Sequence, residues 1–160
     1  IFELTELPPR LAVIGGGPIG AEMAQTFARL GSQVTLIEHN GQLLNREDAD
    51  AARIVQDAFE ADGIRLIFKA DVTALRRTPA GKVVEFTIDG RPGQVEVDEV
   101  LVSIGRAPTV QGLGLEAAGV EFSDRGVTVD DTLRTTNPNI FAAGDVASRY
   151  QFTHVADATP

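Results

Sequence analysis

The chain contains no cysteine among its 160 residues. Within this sequence, that absence excludes a disulfide framework, a thiolate metal site and a cysteine nucleophile. Basic residues are also scarce: lysine and arginine total 14 against 23 acidic residues, which gives a formal net charge of −9. A chain of this charge repels a phosphate backbone and offers no basic stripe to bind one. We therefore expect no nucleic-acid partner.

Long hydrophobic runs are missing as well. No apolar stretch approaches the roughly 20 residues of a membrane span. The first residues, Ile1-Phe2-Glu3-Leu4, lack the basic and then apolar regions of a secretion signal. We expect a cytoplasmic protein with no membrane partner. Because the sequence has no initiating methionine and stops at Pro160, we also expect it to be a fragment of a longer protein.

Residues 10–38 carry the most informative pattern. Residues 11–14 are apolar without alternation, which predicts a parallel strand covered on both faces. Between residues 18 and 30, apolar side chains recur at helical spacing, and small residues four apart let the helix lie close to a sheet. Gly31 fits the left-handed position that ends a helix, and residues 34–37 predict the next strand.

Three glycines in this unit predict a dinucleotide site. Gly15, Gly17 and Gly20 have the G-x-G-x-x-G spacing, follow a strand and open a helix. The first allows a tight turn, the second leaves room for a pyrophosphate, and the third permits close packing of helix and strand. The amino terminus of the helix then favours an anion. The alternative is a tight strand-to-helix turn without a ligand.

Glu38, at the end of the second strand, predicts the choice of nucleotide. A carboxylate there accepts hydrogen bonds from the adenosine ribose and repels a 2′-phosphate, which favours NAD over NADP. Arg46 is near enough in sequence to reach a 2′-phosphate, so NADP stays an open alternative. Glu38 as an ordinary surface acid is the other interpretation. Glu22 is harder to place, because we expect it in the first helical turn, close to the phosphates.

The rest of the chain predicts an α/β fold whose parallel sheet is interrupted by an antiparallel β-meander crossover. Residues 47–61 suggest a second helix, with Ile54, Val55, Ala58 and Phe59 on its inner face. Later expected elements are a third parallel strand at 64–68, alternating meander strands at 84–88 and 95–97, a buried strand at 100–104, a short helix at 115–118 and a short strand at 140–143.

Three blocks together resemble a known family, the flavin-dependent pyridine nucleotide disulfide oxidoreductases, which include lipoamide dehydrogenase, glutathione reductase and mercuric reductase. The blocks are Gly-Gly-Gly-Pro-Ile-Gly-Ala-Glu at 15–22, Ser-Ile-Gly-Arg-Ala-Pro-Thr at 103–109 and Thr-Asn-Pro-Asn-Ile-Phe-Ala-Ala-Gly-Asp at 136–145. The resemblance extends over essentially the whole chain and implies a Rossmann-like FAD/NAD(P)-binding fold. Thr109 replaces the asparagine usual in the second block.

The resemblance implies a role for particular residues of the nucleotide site. The first block, which includes Pro18 and Ile19, would hold the NAD(P) pyrophosphate. Glu22 would lie at the nicotinamide end and pair with a lysine of the flavin domain. Val72 would contact the adenine side, and Gly105 would line the nicotinamide half. From spacing alone, Glu22 is a capping or solvated acid, Val72 a core residue and Gly105 a strand terminator.

The third block would belong to the flavin. The resemblance implies that Asp145 hydrogen-bonds the ribityl chain of FAD and that Thr153 and His154 lie in a stretch that closes over the ring. Considered without the resemblance, a Gly-Asp pair after a strand is a turn and His154 a surface histidine. We accordingly assign residues 1–120 to an NAD(P)-binding domain and residues 121–160 to a segment that returns towards the FAD-binding domain.

The expected function is NAD(P)H binding within a flavin-dependent disulfide or mercuric-ion oxidoreductase, with the nicotinamide positioned for hydride transfer to FAD. The resemblance implies two partners, NAD(P)H and the FAD domain of the same chain, and a homodimeric intact enzyme. No residue here is assigned to catalysis or to a metal, and the isolated fragment should be inactive. The alternatives are a flavoprotein without a redox disulfide, such as an NADH oxidase, a transhydrogenase or a ferredoxin reductase-like enzyme, and a stand-alone nucleotide-binding module.

Overall fold

The structure is a computed structural model and describes residues 1, 4–147 and 156. The chain divides into two compact units, here called the first unit (Ile1–Gly105) and the second unit (Arg106–Pro160). The first unit contains β1 (Arg10–Ile14), α1 (Pro18–Leu30), β2 (Gln33–Ile37), α2 (Ala49–Ala61), β3 (Arg65–Ile67), β4 (Ala70–Thr78), β5 (Gly81–Ile88), β6 (Arg91–Val97) and β7 (Glu99–Val102). The second contains β8 (Phe122–Ser123), β9 (Gly126–Val127) and a short 3₁₀ helix (Gly144–Val146).

A four-stranded parallel sheet forms the centre of the first unit, in the order β3-β2-β1-β7. Its register pairs Ile14 of β1 with Ile37 of β2 on one side and with Val102 of β7 on the other. The strand–helix–strand unit predicted for residues 10–38 is therefore confirmed. Gly31 ends α1 with a φ of +112°, as its position after the last apolar residue predicts.

Both faces of this sheet are covered, which explains why its central strands do not alternate. On one face, Leu11 and Leu36 pack with Ala24 of α1 and Phe59 of α2. On the other face, side chains from β1, β2 and β3 pack against the meander, in a cluster made of Ala12, Ile14, Ile37, Ile67, Ala70, Val84, Phe86 and Val97. A strand buried on two sides is apolar at successive positions.

The predicted meander is confirmed as an antiparallel sheet in the order β4-β5-β6. Its second hairpin turns at Asp89 and Gly90, whose φ values of +48° and +75° suit a tight two-residue turn. Strand β4 was not expected. Its sequence carries the exposed charged residues Asp71, Arg76 and Arg77, and hydrogen bonding to β5 outweighs that polar composition.

Two predicted burial patterns in the first unit are wrong. Residues 100–104 were expected to form a buried strand, but β7 ends at Val102, which is 53% exposed because β7 is the outer strand of the sheet among the described residues. Ile104 lies beyond the strand and is 75% exposed. In α2, Ile54 is 72% exposed and Ala58 is exposed as well, although both were expected to face inward. The helix begins at Ala49, and its buried residues are Ala52 and Phe59. No helix among the described residues has the length and apolar character needed to cross a bilayer.

The second unit is built mostly from turns around a small core of Val110, Leu115, Val120 and Val127. Residues 115–118 form turns where a short helix was predicted. Residues 140–143 contribute a single bridge, between Phe141 and Arg134, where a strand was predicted. The division between the two units falls after Gly105, earlier than residue 120. The assignment of 1–120 and 121–160 to two cofactor domains stays a prediction about function.

Candidate functional site

The three consecutive glycines at 15–17, here called the glycine loop, connect β1 to α1. Gly15 has a φ of +102°, and its N–H donates to the carbonyl oxygen of Ile37 at 2.8 Å. A Cβ at this position would lie 2.5 Å from the carbonyl oxygen of Ser103. Both the left-handed backbone and the close approach of the segment after β7 require glycine here.

Gly20 and Gly17 differ in the space around them. A Cβ at Gly20 would lie 1.9 Å from the carbonyl oxygen of Gly15, so the first turn of α1 packs directly on the glycine loop. A Cβ at Gly17 would meet no heavy atom of the described residues within 4 Å. Gly17 also has an extended φ of −71°, which any residue adopts. Folding therefore demands glycine at position 20, and the space beside Gly17 is open.

The amino terminus of α1 begins at this open space. Gly17 is the N-cap and Pro18 follows it, so the unpaired main-chain N–H groups of the first turn lie next to the glycine loop. These groups and the helix dipole favour a negative charge at this end. The first turn contains no acidic residue, and Glu22 lies beyond it. The expectation that Glu22 occupies the first turn is therefore wrong.

Glu38 is buried, with 7% of its surface exposed, and its carboxylate is hydrogen-bonded at both oxygens. Oε2 accepts the main-chain N–H of Gly16 at 2.5 Å. Oε1 accepts the main-chain N–H of Asn40 at 2.7 Å and its side-chain amide at 2.6 Å. The acid at the end of β2 is thus tied to the glycine loop, which excludes the interpretation of Glu38 as an ordinary surface acid.

Three residues that contribute to this arrangement were not identified from the sequence. Gly16 is held at both main-chain groups, because its carbonyl oxygen also accepts the N–H of Leu44 at 2.8 Å. The Ser103 hydroxyl lies 2.9 Å from the Ile14 carbonyl oxygen and 3.0 Å from that of Gly15. Asn40 orients Glu38. The run of three glycines was the available signal for Gly16, and the block at 103–109 includes Ser103, whereas no local pattern identifies Asn40.

The predicted residues Val72 and Gly105 have different surroundings. Val72 lies in β4, is half-buried and packs against the cluster that covers one face of the parallel sheet, which agrees with a core role. The residue before it, Asp71, is paired with His39 beside the end of β2 at an Oδ1–Nδ1 distance of 2.6 Å. Gly105 is exposed and has a φ of +126°. Roles of Val72 and Gly105 in nucleotide contact stay predictions.

Glu22 and Ile19 are both solvent-exposed on α1. Glu22 lines a surface cavity of about 350 Å³ between α1 and α2, together with Pro18, Ala21, Gln25, Leu44, Glu47, Val55 and Phe59. The residues of the glycine loop and Glu38 do not line this cavity. Its walls include two carboxylates and no basic side chain, so it is unsuited to the phosphates of a dinucleotide.

Asp145 belongs to the second unit, in the short 3₁₀ helix that follows Ala143. Its carboxylate is partly exposed and pairs with Arg106 of the same unit at 3.0 Å. Thr153 and His154 lie outside the described residues. Within the described part of the chain, no group of three or more His, Cys, Asp or Glu side chains is arranged to hold a metal ion.

Comparison with known proteins identifies the family to which the chain belongs. Residues 1–159 match the family model described as "Pyridine nucleotide-disulphide oxidoreductase". The chain belongs to this family. Its Rossmann-like α/β fold, which in the described residues has one parallel and two antiparallel sheets, is the fold of the family's solved structures.

Two curated relatives of this chain are oxidoreductases with different names. The chain is 41% identical to a dihydrolipoyl dehydrogenase of Bacillus subtilis over 155 residues, which cover 97% of this chain and 33% of the relative. It is also 41% identical to a mercuric reductase of Streptomyces lividans over 158 residues, covering 98% of this chain and 33% of the relative. The chain therefore spans about a third of the length of these relatives.

Solved structures agree with this assignment. LpdA from Mycobacterium tuberculosis superposes with a TM-score of 0.86 at 36% identity, over 98% of this chain and 34% of that protein. A water-forming NADH oxidase from Lactobacillus brevis, solved with NADH bound, superposes with a TM-score of 0.83 at 27% identity, over 93% of this chain and 34% of that protein. Family members use FAD and a pyridine nucleotide.

Proposed function

We propose that the first unit binds NAD(H) and that, in the intact enzyme, it presents the nicotinamide to FAD for hydride transfer. One observation carries the proposal. The glycine loop joins an open helix amino terminus at Gly17 to a buried carboxylate, Glu38, through the main-chain N–H of Gly16. These are the two features that a dinucleotide requires, a place for the pyrophosphate and an acceptor for the adenosine ribose.

The pyrophosphate would lie beside Gly17. The space there is open, and the N–H groups of the first turn of α1 supply donors and a positive dipole end. The absence of an acid from this turn removes an obvious source of repulsion. Gly20 contributes indirectly, since its lack of a side chain lets α1 pack against Gly15 and brings the helix end close to the loop.

Glu38 would receive a hydroxyl of the adenosine ribose. A carboxylate has about four acceptor positions, and the three bonds from Gly16 and Asn40 leave about one for a ligand. A 2′-phosphate about 4 Å from this charge would be repelled by about 4 kcal/mol at an effective dielectric near 20. Glu38 therefore favours NADH over NADPH.

The chemistry of the intact enzyme would be a hydride transfer between NADH and FAD, which the cofactors themselves perform when bound. The part of this chain is to bind the nucleotide and fix its orientation. We propose that Asp145 belongs to the FAD site and that Glu22, which is exposed, meets a lysine of the flavin domain. The homodimeric state, the cytoplasmic location and the contacts of Thr153 and His154 belong to the same proposal.

Calorimetry with the purified chain tests the nucleotide site. NADH should bind, and NADPH should bind at least about tenfold more weakly, since the repulsion estimated above exceeds the 1.4 kcal/mol that a factor of ten requires. An Arg46→Ala variant is the matched control, because it removes the basic side chain that would favour a 2′-phosphate and should leave NADH binding unchanged. Tighter binding of NADPH than of NADH by the wild-type chain would disprove the role of Glu38.

The substrate of the intact enzyme is proposed to be a disulfide or mercuric ion, as the names of the relatives suggest. This chain contains no cysteine, so the redox pair of such an enzyme would come from other residues. Mixed with NADH alone, the chain should reduce neither a disulfide nor mercuric ion. Measurable NADH oxidation coupled to either acceptor, without an added flavoprotein, would contradict the proposal.

A flavoprotein without a redox disulfide is the second candidate, and the match to a water-forming NADH oxidase favours it. Both candidates use the same nucleotide site, so binding to this chain does not separate them. Sequencing the gene on either side of this segment does: a C-x-x-x-x-C element upstream supports the disulfide or mercuric-ion enzyme, and its absence supports the oxidase.

A further inference from the structure

Asn40 donates two hydrogen bonds to the buried carboxylate of Glu38. Its main-chain N–H and its side-chain amide both donate to Oε1 of Glu38, at 2.7 and 2.6 Å, while Oε2 accepts the N–H of Gly16. The carboxylate is therefore held by a residue that follows it in the sequence, Asn40, and by one that precedes it, Gly16 of the glycine loop. Hydrogen bonds to a charged acceptor are among the stronger ones in proteins.

The fixation of Glu38 matters because a glutamate side chain is long and has several rotatable bonds. Ordering such a side chain costs conformational entropy, and a ligand that had to order it would bind more weakly. Here that ordering is completed by the protein itself, since Glu38 is only 7% exposed and both of its oxygens are occupied. A ribose hydroxyl that approached this carboxylate would meet oxygens whose direction is already set.

We propose that Asn40 is a positioning residue that sets the preference for a ribose with a free 2′-hydroxyl over one with a 2′-phosphate. The inference rests on the proposed NAD(H) site. Asparagine suits this position because it supplies a neutral donor. It orients the negative charge of Glu38 without cancelling it, whereas a lysine would neutralise the charge and an aspartate would repel it.

The substitution Asn40→Ala removes the side-chain donor and keeps the main-chain N–H. NADH affinity should fall about tenfold, the effect of losing one hydrogen bond that fixes a charged group. NADPH affinity should change by less than about twofold, because a 2′-phosphate makes no hydrogen bond to this carboxylate that a less exact position would weaken. The ratio of the two dissociation constants, measured by calorimetry, should therefore move towards one.

Two further variants separate positioning from folding. Asn45→Ala removes an exposed asparagine of the same loop and should leave both affinities unchanged. Asn40→Ser keeps a neutral donor on a shorter side chain and should return the ratio towards the wild-type value. If Asn40→Ala weakened NADH and NADPH equally, Asn40 would have only a structural role and the inference would be overturned.

A measurement without nucleotide tests the same connection. In the wild-type chain, the Gly16 amide should be protected from hydrogen exchange by its bond to Glu38. In Asn40→Ala this protection should decrease while that of the Gly15 amide, which is bonded to Ile37, is retained. Unchanged protection of Gly16 would overturn the inference. The proposed function has a separate test, because it fails if the wild-type chain binds neither nucleotide. The exchange experiment uses no nucleotide, so its result bears on Asn40 alone.

Discussion

Two glycine-and-acid pairs of this chain are held in different ways. In the first unit, Glu38 is buried and bonded to the main chain of Gly16. In the second unit, Asp145 follows Gly144 directly, is partly exposed and pairs with the guanidinium of Arg106. The first acid is held by two main-chain donors and by the side-chain amide of Asn40, and the second by a long side chain in contact with solvent. The first pair is therefore preorganised to a degree that the second is not.

The two proposed cofactor sites therefore differ in how much of each lies within one unit of this chain. The nucleotide site has its glycine loop, helix amino terminus and acid within the first unit, so one segment of chain can build it. The proposed flavin contact has a single acid in a loop-rich unit, and the resemblance assigns the rest of that site to other residues. We expect the first unit to bind its nucleotide without them.

The largest expected effect concerns the packing beneath the glycine loop. Gly20→Ala places a Cβ 1.9 Å from the Gly15 carbonyl oxygen. Because this oxygen belongs to the main chain, it moves only if the backbone is distorted. The free energy of unfolding should fall by about 3 kcal/mol, the upper range for overpacking a well-packed site. Urea denaturation monitored by circular dichroism measures this. If the variant were as stable as the wild-type chain, α1 would not be packed tightly on the glycine loop.

Removing the two acids tests the comparison directly. Glu38→Ala leaves the Gly16 N–H without its acceptor and should cost about 2 kcal/mol of stability, the penalty for an unsatisfied buried donor. Asp145→Ala removes one exposed ion pair and should cost less than about 0.5 kcal/mol. Parallel urea titrations of both variants provide the measurement. Equal losses would erase the distinction between the two acids.

Gly17→Ala sharpens the same comparison by separating folding from binding. The new Cβ meets no described heavy atom within 4 Å, so stability should change by at most about 1 kcal/mol, the cost of alanine at an N-cap. NADH affinity should fall about tenfold, or 1.4 kcal/mol, because the methyl group enters the space proposed for the pyrophosphate. Calorimetry checks this, with Gly20→Ala as the variant in which folding fails first.

The smallest expected effect is a loss of stability in acid. Hydrogen bonds from the Arg10 guanidinium hold the pKa of Asp98 in the first unit below its usual value. Bonds from the Thr132 hydroxyl and from main-chain N–H groups lower the pKa of Asp130 in the second. Because these carboxylates are more acidic when folded, their stabilisation is present above about pH 4 and is lost as the pH falls through the folded pKa.

Hydrogen exchange measured along the chain between neutral and acid pH resolves this for each unit. Arg10→Gln should reduce the acid sensitivity of the first unit only, since Asp98 loses its main hydrogen-bond donor. Thr132→Ala should do the same for the second unit. If a variant left the acid sensitivity of its unit unchanged, the corresponding carboxylate would not be the cause of the loss of stability in acid.

Much of the first unit was predictable from local patterns. The apolar run at 11–14, the helical spacing at 18–30 and the alternation at 84–88 each specify an element within a few neighbouring residues. The predictions that failed concern burial. Val102 is as apolar as residues 11–14 of β1, and only the order of strands places it in the outer strand of the sheet.

The second unit was less predictable. Its residues 115–118 and 140–143 are too short to have a period, so turns compete successfully with a helix or a strand. The same limit applies to the site. The spacing of Gly15, Gly17, Gly20 and Glu38 identifies a dinucleotide pattern, whereas the contact of Ser103 with Gly15 joins residues that are 88 apart along the chain.

By itself, the amino-acid sequence determined the class of fold, the family and the residues of the glycine loop, because these depend on short-range spacing and on motifs that occur in fixed order. The tertiary structure alone decided how Glu38 is used. Its bond to Gly16 joins residues that are 22 apart, and its burial requires α1, β2 and the following loop to pack together. A carboxylate becomes a fixed acceptor only when the folded chain surrounds it with donors, which no local pattern specifies.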